Sequence, residues 1–459
     1  MSEQQPQQKP EQQPGRRALL RAATAGGAAV LTGTAAQPAA AASASASGSA
    51  SASVSVSPSS SSSSRLRVYV LVVDGCNPTE FASVSQPRLA ALRAQGTLYP
   101  AARSLPIMET VPNHVMMMSG VRPDRSGVPA NAIYDRGERV VRTLDRPTDL
   151  RASTLLERLP QRGFVTASVP SKDYLVGIFG TRATHRWVPP AYLPVTGHVP
   201  DATTVPALVD IVDRHDPDLV FCNLGDIDRV GHSDPTGPRL PFPALRTADL
   251  TATDTLIGGF TDHLAATGKW ASSVLVVLAD HGMDFSVPTN LISVKQQALA
   301  SRPDLQASVT IAQNGGADSI TWTGPAGRRR QGLAEVARLV AAHPGVLSVK
   351  LPSQLRLGPE AGDLVAYARP GWRFSDPQVT SNPIPGNHGH PVTEPIPFLI
   401  TGGHPGLRRG ATSSAPVRTV DVAPTVAALF GLSAPRGGWD GTARLDAFTR
   451  TPRAASATW

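Results

Sequence analysis

Three stretches of this chain are apolar at successive positions rather than at alternate ones. They are Arg67-Val-Tyr-Val-Leu-Val-Val73, Asp218-Leu-Val-Phe-Cys-Asn-Leu224 and Ser273-Val-Leu-Val-Val-Leu-Ala279. Runs of this kind, rich in β-branched residues, are strands buried on both faces, as in a parallel sheet covered by helices. The stretches Arg88–Ala94, Leu150–Leu159, Thr204–Arg214 and Leu245–Leu264 have helical periodicity. The alternation predicts an α/β fold with a doubly wound, mostly parallel sheet sandwiched by helices.

Residues 286–385 read differently. Short alternating segments at Ser319–Thr323, Val346–Leu351 and Asp363–Ala368, with an amphipathic helix over Gly332–Ala342, suggest a small inserted α+β cap. The core pattern resumes at Ile396-Pro-Phe-Leu-Ile-Thr401, and Val420–Gly431 reads as a closing helix. The main α/β domain is therefore expected over 65–285 and 386–459.

The first 64 residues do not read as fold. Arg16-Arg17 precedes a weakly apolar Ala/Gly run, and small residues dominate to Ala42, which resembles a twin-arginine export signal over 1–42. Residues 43–64 are almost all Ser and Ala, a composition that cannot bury enough surface to fold and reads as a linker. The expected destination is extracellular or in the cell envelope, and the mature chain has no apolar run long enough for a membrane span.

Composition narrows the partners. A net charge of +8 invites a polyanion, but aromatic content is 5% and no long Lys/Arg run occurs, so nucleic-acid binding is not expected. Two cysteines, Cys76 and Cys222, exclude a disulfide-rich scaffold and leave one bridge or two buried thiols open. The sequence does not fix the oligomeric state.

Candidate chemistry clusters at strand ends. Asp74 follows the first apolar run, Asp228 and His232 lie just past the second, and Asp280-His281 follow the third. In such sheets ligands gather beyond the carboxyl ends of the strands. His388 sits in Gly386-Asn-His388-Gly, and Thr110 opens Thr110-Val-Pro-Asn-His114. Carboxylate and imidazole ligands without thiolate suit zinc, and also manganese or iron.

Together these segments resemble the alkaline phosphatase superfamily, closest to its nucleotide pyrophosphatase/phosphodiesterase branch. Gly120-Val-Arg-Pro-Asp-Arg-Ser-Gly127 and Asn131 extend the likeness. The resemblance implies two divalent metals, zinc first. Asp228, His232 and His388 would hold one, and Asp74, Asp280 and His281 the other, with Thr110 as its further ligand. It also implies that Thr110 is the nucleophile of a phospho-threonine pathway and that Asn131 donates to a non-bridging oxygen. A helix starting after Pro112 would add its positive end, and His114 would orient the nucleophile loop.

The expected substrate is a small phosphodiester or pyrophosphate. Thr at 110 and His at 114 depart from a sulfatase motif. Ser171-Lys172-Asp173-Tyr174-Leu175 resembles an element of phosphonoacetate hydrolase, whose lysines bind the substrate carboxylate. That makes Lys172 a candidate substrate-binding residue and C–P bond hydrolysis the alternative activity, although Tyr174 stands where a second lysine is expected. A third reading, a surface phosphate-binding protein without turnover, does not account for Thr110 and Asn131 alongside six ligands.

Overall fold

The run Arg67–Val73 forms strand β1, buried from Val68 to Val73 and lying inside an eight-stranded sheet. The computed structural model describes residues 65–454, except 84–85, 195, 238, 241–242 and 380–383. The predicted export signal and Ser/Ala linker lie outside the described residues. Strands β2 (Thr97–Leu98), β3 (Thr166–Pro170), β4 (His185–Arg186), β5 (Leu219–Leu224) and β6 (Ser273–Leu278) join β1 in this sheet. Strands β7 (Val309–Asn314), β8 (Ala317–Trp322), β9 (Val346–Lys350) and β10 (Leu364–Ala368) build a second sheet. The chain then returns to the first with β11 (Phe398–Thr401) and β12 (Ala411–Thr412).

The large sheet runs β12-β2-β11-β6-β1-β5-β3-β4. From β6 to β4 all neighbours are parallel. β11 alone opposes both of its neighbours. This is the mostly parallel, helix-flanked sheet that the apolar runs predict. Val73 pairs with Leu224 and Val72 with Leu278, so β1, β5 and β6 end nearly flush. That register delivers Asp74, Asp228 and Asp280 to one edge. Each Val or Leu fully buried in these strands contributes about 1.5–3 kcal/mol relative to exposure.

Among the described residues the helices of eight residues or more are α1 (Pro87–Ala94), α2 (Thr110–Ser119), α3 (Asp201–His215), α4 (Asp226–Ser233), α5 (Ala244–Ala266), α6 (Arg329–Ala341) and α7 (Val422–Leu429). Two expectations change. The helix read over Leu150–Leu159 shrinks to Leu155–Arg158, because Glu157 Oε1 caps the Thr154 N–H at 2.7 Å and Pro160 opens a 3₁₀ turn. α2 begins at Thr110 rather than after Pro112. Pro112 is its third residue, where a missing N–H breaks no intrahelical bond.

The second sheet, β7-β8-β10-β9, is antiparallel throughout. It has its own apolar cluster, including Leu305, Ile320, Trp322, Val336 and Phe374. The chain departs and re-enters through the paired segments Asp284–Phe285 and Gly386–Asn387. On its other side Ala317, Val365 and Tyr367 pack with Ile107 and Met108, so this sheet supports the loop before Thr110. Cys76 and Cys222 are both free and buried, which resolves the cysteine question in favour of two thiols. Among the described residues no helix is long and apolar enough to cross a membrane.

Candidate active site

Every residue of α2 is buried, so its first turn cannot rely on water to satisfy the free N–H groups. Asn131 Oδ1 accepts the Val111 N–H at 2.8 Å, capping the helix from a distant loop. Glu109 Oε2 in turn accepts the Asn131 N–H at 2.7 Å. Asn131 Nδ2 has no partner among the described residues, so the carboxamide keeps its donors for another acceptor. Asn113 accepts the Leu105 N–H at 3.0 Å and donates to the Glu109 carbonyl at 3.0 Å, fixing the loop that presents Thr110. The Thr110 hydroxyl is 3.3 Å from His281 Nε2 and 3.4 Å from Lys172 Nζ.

The three candidate ligand imidazoles share one arrangement. Nδ1 of His232 lies 2.8 Å from the Gly386 carbonyl, that of His281 lies 2.9 Å from the Gly282 carbonyl, and that of His388 lies 3.2 Å from the Met108 carbonyl. Each Nδ1–H donates to its carbonyl, which fixes the tautomer and leaves Nε2 as a lone-pair donor. His232 Nε2 and His388 Nε2 approach Asp228 Oδ1 to 3.4 and 3.8 Å. His281 Nε2 approaches Asp280 Oδ2 to 3.4 Å and Asp74 Oδ1 to 3.7 Å. Those three carboxylate oxygens are buried and have no hydrogen-bond partner among the described residues. Buried lone pairs left empty beside lone-pair nitrogens are what a cation site requires.

The residues therefore fit bound metal. Asp228, His232 and His388 form one group whose ligand atoms lie within 4.8 Å of one another. Asp74 belongs to two overlapping groups, one with Asp228 and His281, the other with His114 and Asp280. His114 is the weaker member. Its Nδ1 is 2.8 Å from the Thr110 carbonyl and its Nε2 is 3.0 Å from Asn223 Nδ2, so both ring nitrogens are already used. Burial holds its pKa down at about 4, in keeping with a neutral ring. His114 is expected from the sequence to orient the loop that carries Thr110; the structure sets its Nδ1 against the Thr110 carbonyl.

Lys172 is not a surface residue. It is fully buried, with Nζ 2.8 Å from Asp74 Oδ2 and 2.7 Å from Asp228 Oδ2. Each of these carboxylates thus gives one oxygen to the lysine and keeps the other empty. Burial opposes the lysine's charge, but Asp228 and Asp74 outweigh it and raise the pKa above the ordinary lysine value. Burial also works against ionised Asp228, yet Lys172, His232 and His388 hold it well below the usual carboxylate range. Asp74 is pushed up to about 7 by burial and by the charge of Asp280. Burial first, then His281, keeps His388 neutral.

Close packing brings the loops this near. Gly75 has φ +70°, and a Cβ there would lie 3.0 Å from the Asp228 Cβ. A Cβ on Gly386 would meet the Gly231 carbonyl oxygen at 2.2 Å. The structure gathers Asp74, Thr110, Lys172, Asp228, His232, Asp280, His281 and His388 and places Asn131 against the first turn of α2. Sequence reasoning missed Asn223, whose Nδ2 donates to Asp74 Oδ2 at 2.7 Å. It also missed Arg246, fully buried, which donates to the carbonyls of Gly75 and Ile227, each at 2.9 Å. These carbonyls flank Asp74 and Asp228.

The fold has relatives of known structure. A murine ectonucleotide pyrophosphatase/phosphodiesterase 5, inactive and in complex with AMP, superposes with a TM-score of 0.70 at 18% identity, covering 84% of this chain and 100% of that one. The human counterpart gives 0.68 at 17% identity, covering 84% and 100%. Phosphonoacetate hydrolase from Sinorhizobium meliloti 1021, in complex with phosphonoacetate, gives 0.60 at 19% identity, covering 78% and 94%. No curated protein is similar enough to match. The model of the family described as type I phosphodiesterase / nucleotide pyrophosphatase matches residues 68–390, which include every candidate ligand from Asp74 to His388. The chain belongs to that family, and so to the metal-dependent phosphoric ester hydrolases of the alkaline phosphatase superfamily.

Proposed function

We propose that this protein is an exported hydrolase of phosphodiester or pyrophosphate bonds in small molecules, acting through a phospho-threonine at Thr110. The observation that carries this reading is the position of the Thr110 hydroxyl. It opens a buried helix, 3.3 Å from His281 Nε2, beside carboxylate oxygens that have no partner. Thr110 Oγ attacks phosphorus as the bond to the leaving oxygen breaks, and water then displaces the threonine to release the product. The Asn131 amide donates to a non-bridging oxygen as negative charge builds there.

Two divalent cations, zinc by preference with manganese or iron as alternatives, would be held by Asp228, His232, His388 and by Asp74, Asp280, His281, with Thr110. When bound they supply positive charge that steadies the nucleophile and the leaving oxygen. Lys172 contributes to substrate binding: its nearest acceptor besides the two carboxylates is Thr110 Oγ1 at 3.4 Å. Residues 1–42 act as the export signal, 43–64 as a linker, 65–285 with 386–459 as the catalytic domain, and 286–385 as a cap that shapes specificity.

Lys172 also favours a second reading, hydrolysis of a C–P bond in a phosphonoacetate-like compound. Comparing turnover of bis-p-nitrophenyl phosphate, a dinucleotide pyrophosphate and phosphonoacetate separates the two. Thr110→Ala is expected to abolish turnover of whichever is accepted while metal content stays that of the parent. Full activity in Thr110→Ala removes the nucleophile assignment.

A further inference from the structure

Arg229 follows Asp228 on α4, yet nothing in the proposed chemistry uses it. A guanidinium carries five N–H donors in a fixed fork. Arginines that hold this fold together spend theirs. Arg246 uses Nε on Glu80 Oε1 at 2.8 Å and Nη1 and Nη2 on the Ile227 and Gly75 carbonyls at 2.9 Å. Arg142 uses Nε on Asp135 at 2.8 Å, and Nη1 and Nη2 on Asp149 at 3.0 and 2.7 Å.

The Arg229 guanidinium makes one hydrogen bond among the described residues, from Nη2 to the Tyr174 hydroxyl at 3.2 Å. Its Nε is buried without a partner. The nearest carboxylate oxygen is Asp228 Oδ2, at 4.0 Å, which is too long for a hydrogen bond and is already taken by Lys172 at 2.7 Å. The guanidinium carbon lies 5.8 Å from the centre of the Tyr174 ring, and Lys172 Nζ lies 6.0 Å from it on the same residue. The side chain is 19% exposed, so the group is neither sealed in nor free in solvent. A largely buried guanidinium with unused donors, next in sequence to the candidate metal ligand Asp228, is a ready hydrogen-bond donor to an oxyanion.

We propose that Arg229, positioned by the Tyr174 hydroxyl, forms an anion subsite that selects substrates carrying a second negative charge next to the scissile phosphorus. The proposal rests on the phosphoester reading above. That charge has two sources with the same chemistry: a second oxygen of the phosphoryl group itself, or a neighbouring carboxylate or phosphate.

The test uses the metal-loaded Thr110→Ala protein, which binds without turning over, and reads affinity by calorimetry. Phenylphosphonate carries its second charge on phosphorus, P-monomethyl phosphonoacetate carries it on a carboxylate, and methyl phenylphosphonate carries one charge only. Adding Arg229→Met is expected to weaken at least one of the doubly charged ligands by about ten-fold or more, and the singly charged ligand by less than about three-fold. Tyr174→Phe is expected to give a smaller loss of the same selectivity, and Arg229→Lys to restore part of it. Which doubly charged ligand responds identifies the source of the charge. Equal loss for all three ligands, no loss for any, or a fall in metal content in Arg229→Met each overturns the subsite. If the parent enzyme turns over no phosphoester or phosphonate while the charge-selective binding persists, the proposed function fails and the subsite stands.

Discussion

Lys172 donates to Asp228 Oδ2 at 2.7 Å, and both side chains are out of reach of water. A buried charge without its partner is strongly destabilising, on the order of 3–5 kcal/mol. Lys172 also holds Asp74, so among the described residues it is the one side-chain cation bound to both halves of the candidate metal site. Lys172→Met should therefore destabilise the metal-free protein by about 3–5 kcal/mol, and the metal-loaded protein by much less, since divalent cations then balance the same carboxylates. Denaturant unfolding with and without chelator reads the difference. An equal loss in both states would show that the lysine's charge balance is independent of metal.

Asn131 carries two roles on one carboxamide. Oδ1 caps the Val111 N–H, while Nδ2 has no partner among the described residues. Asn131→Asp keeps an acceptor for the cap and removes the donors; Asn131→Ala removes both. Both variants should lose about 10²–10³ in kcat, as for other oxyanion donors. Only Asn131→Ala should also lose stability, about 1 kcal/mol, for the missing cap. Steady-state kinetics with thermal melts would separate the roles, and a kcat near the parent value in Asn131→Asp would remove the amide from the chemistry.

The parts legible in the sequence were those with local signatures. β1, β5 and β6 announced themselves as unbroken apolar runs, and Asp74 and Asp280 followed from lying just past them. Asp228 and His232 were legible through spacing, and the Thr110 motif only through the family resemblance. Arg246 was not. Its partners are Glu80 and two backbone carbonyls, at separations such as 166 and 171 residues, and no periodicity encodes a contact of that kind. Asn223 lies inside the apolar run Asp218–Leu224, and nothing in that pattern encodes a clamp on Asp74. α2 starts before Pro112 rather than after it, because the first helical turn tolerates a proline.

Arg246 yields a prediction of its own. By holding the carbonyls of Gly75 and Ile227 it ties together the loops that carry Asp74 and Asp228, and it pairs with buried Glu80. Arg246→Leu should weaken metal binding by about 10–100-fold, the usual cost of removing support behind a ligand. It should also cost about 3–5 kcal/mol for removing the guanidinium that balances the buried Glu80 carboxylate. Combining it with Glu80→Leu should return much of the stability but none of the metal affinity. Metal titration of both variants provides the check, and recovered affinity in the double variant would mean that the carbonyl clamps are dispensable.

Asp201 sets a pH dependence away from the ligands. It is buried at the start of α3, accepting the Gly225 N–H and the Thr253 hydroxyl, each at 2.8 Å. Burial first, then the charge of Asp226, pushes its pKa up to about 8 from an ordinary 3.8. Between those values the folded state keeps a proton that the unfolded state has released. Its stabilising contribution is complete below the unfolded pKa and is lost as pH rises through the folded one, at up to about 1.4 kcal/mol per pH unit. Asp201→Asn cannot titrate, so it should gain on the parent as pH rises from 5 to 8, with the gap levelling off above about 8. Unfolding free energies of the two proteins across that range decide it: parallel pH profiles would place the Asp201 proton elsewhere.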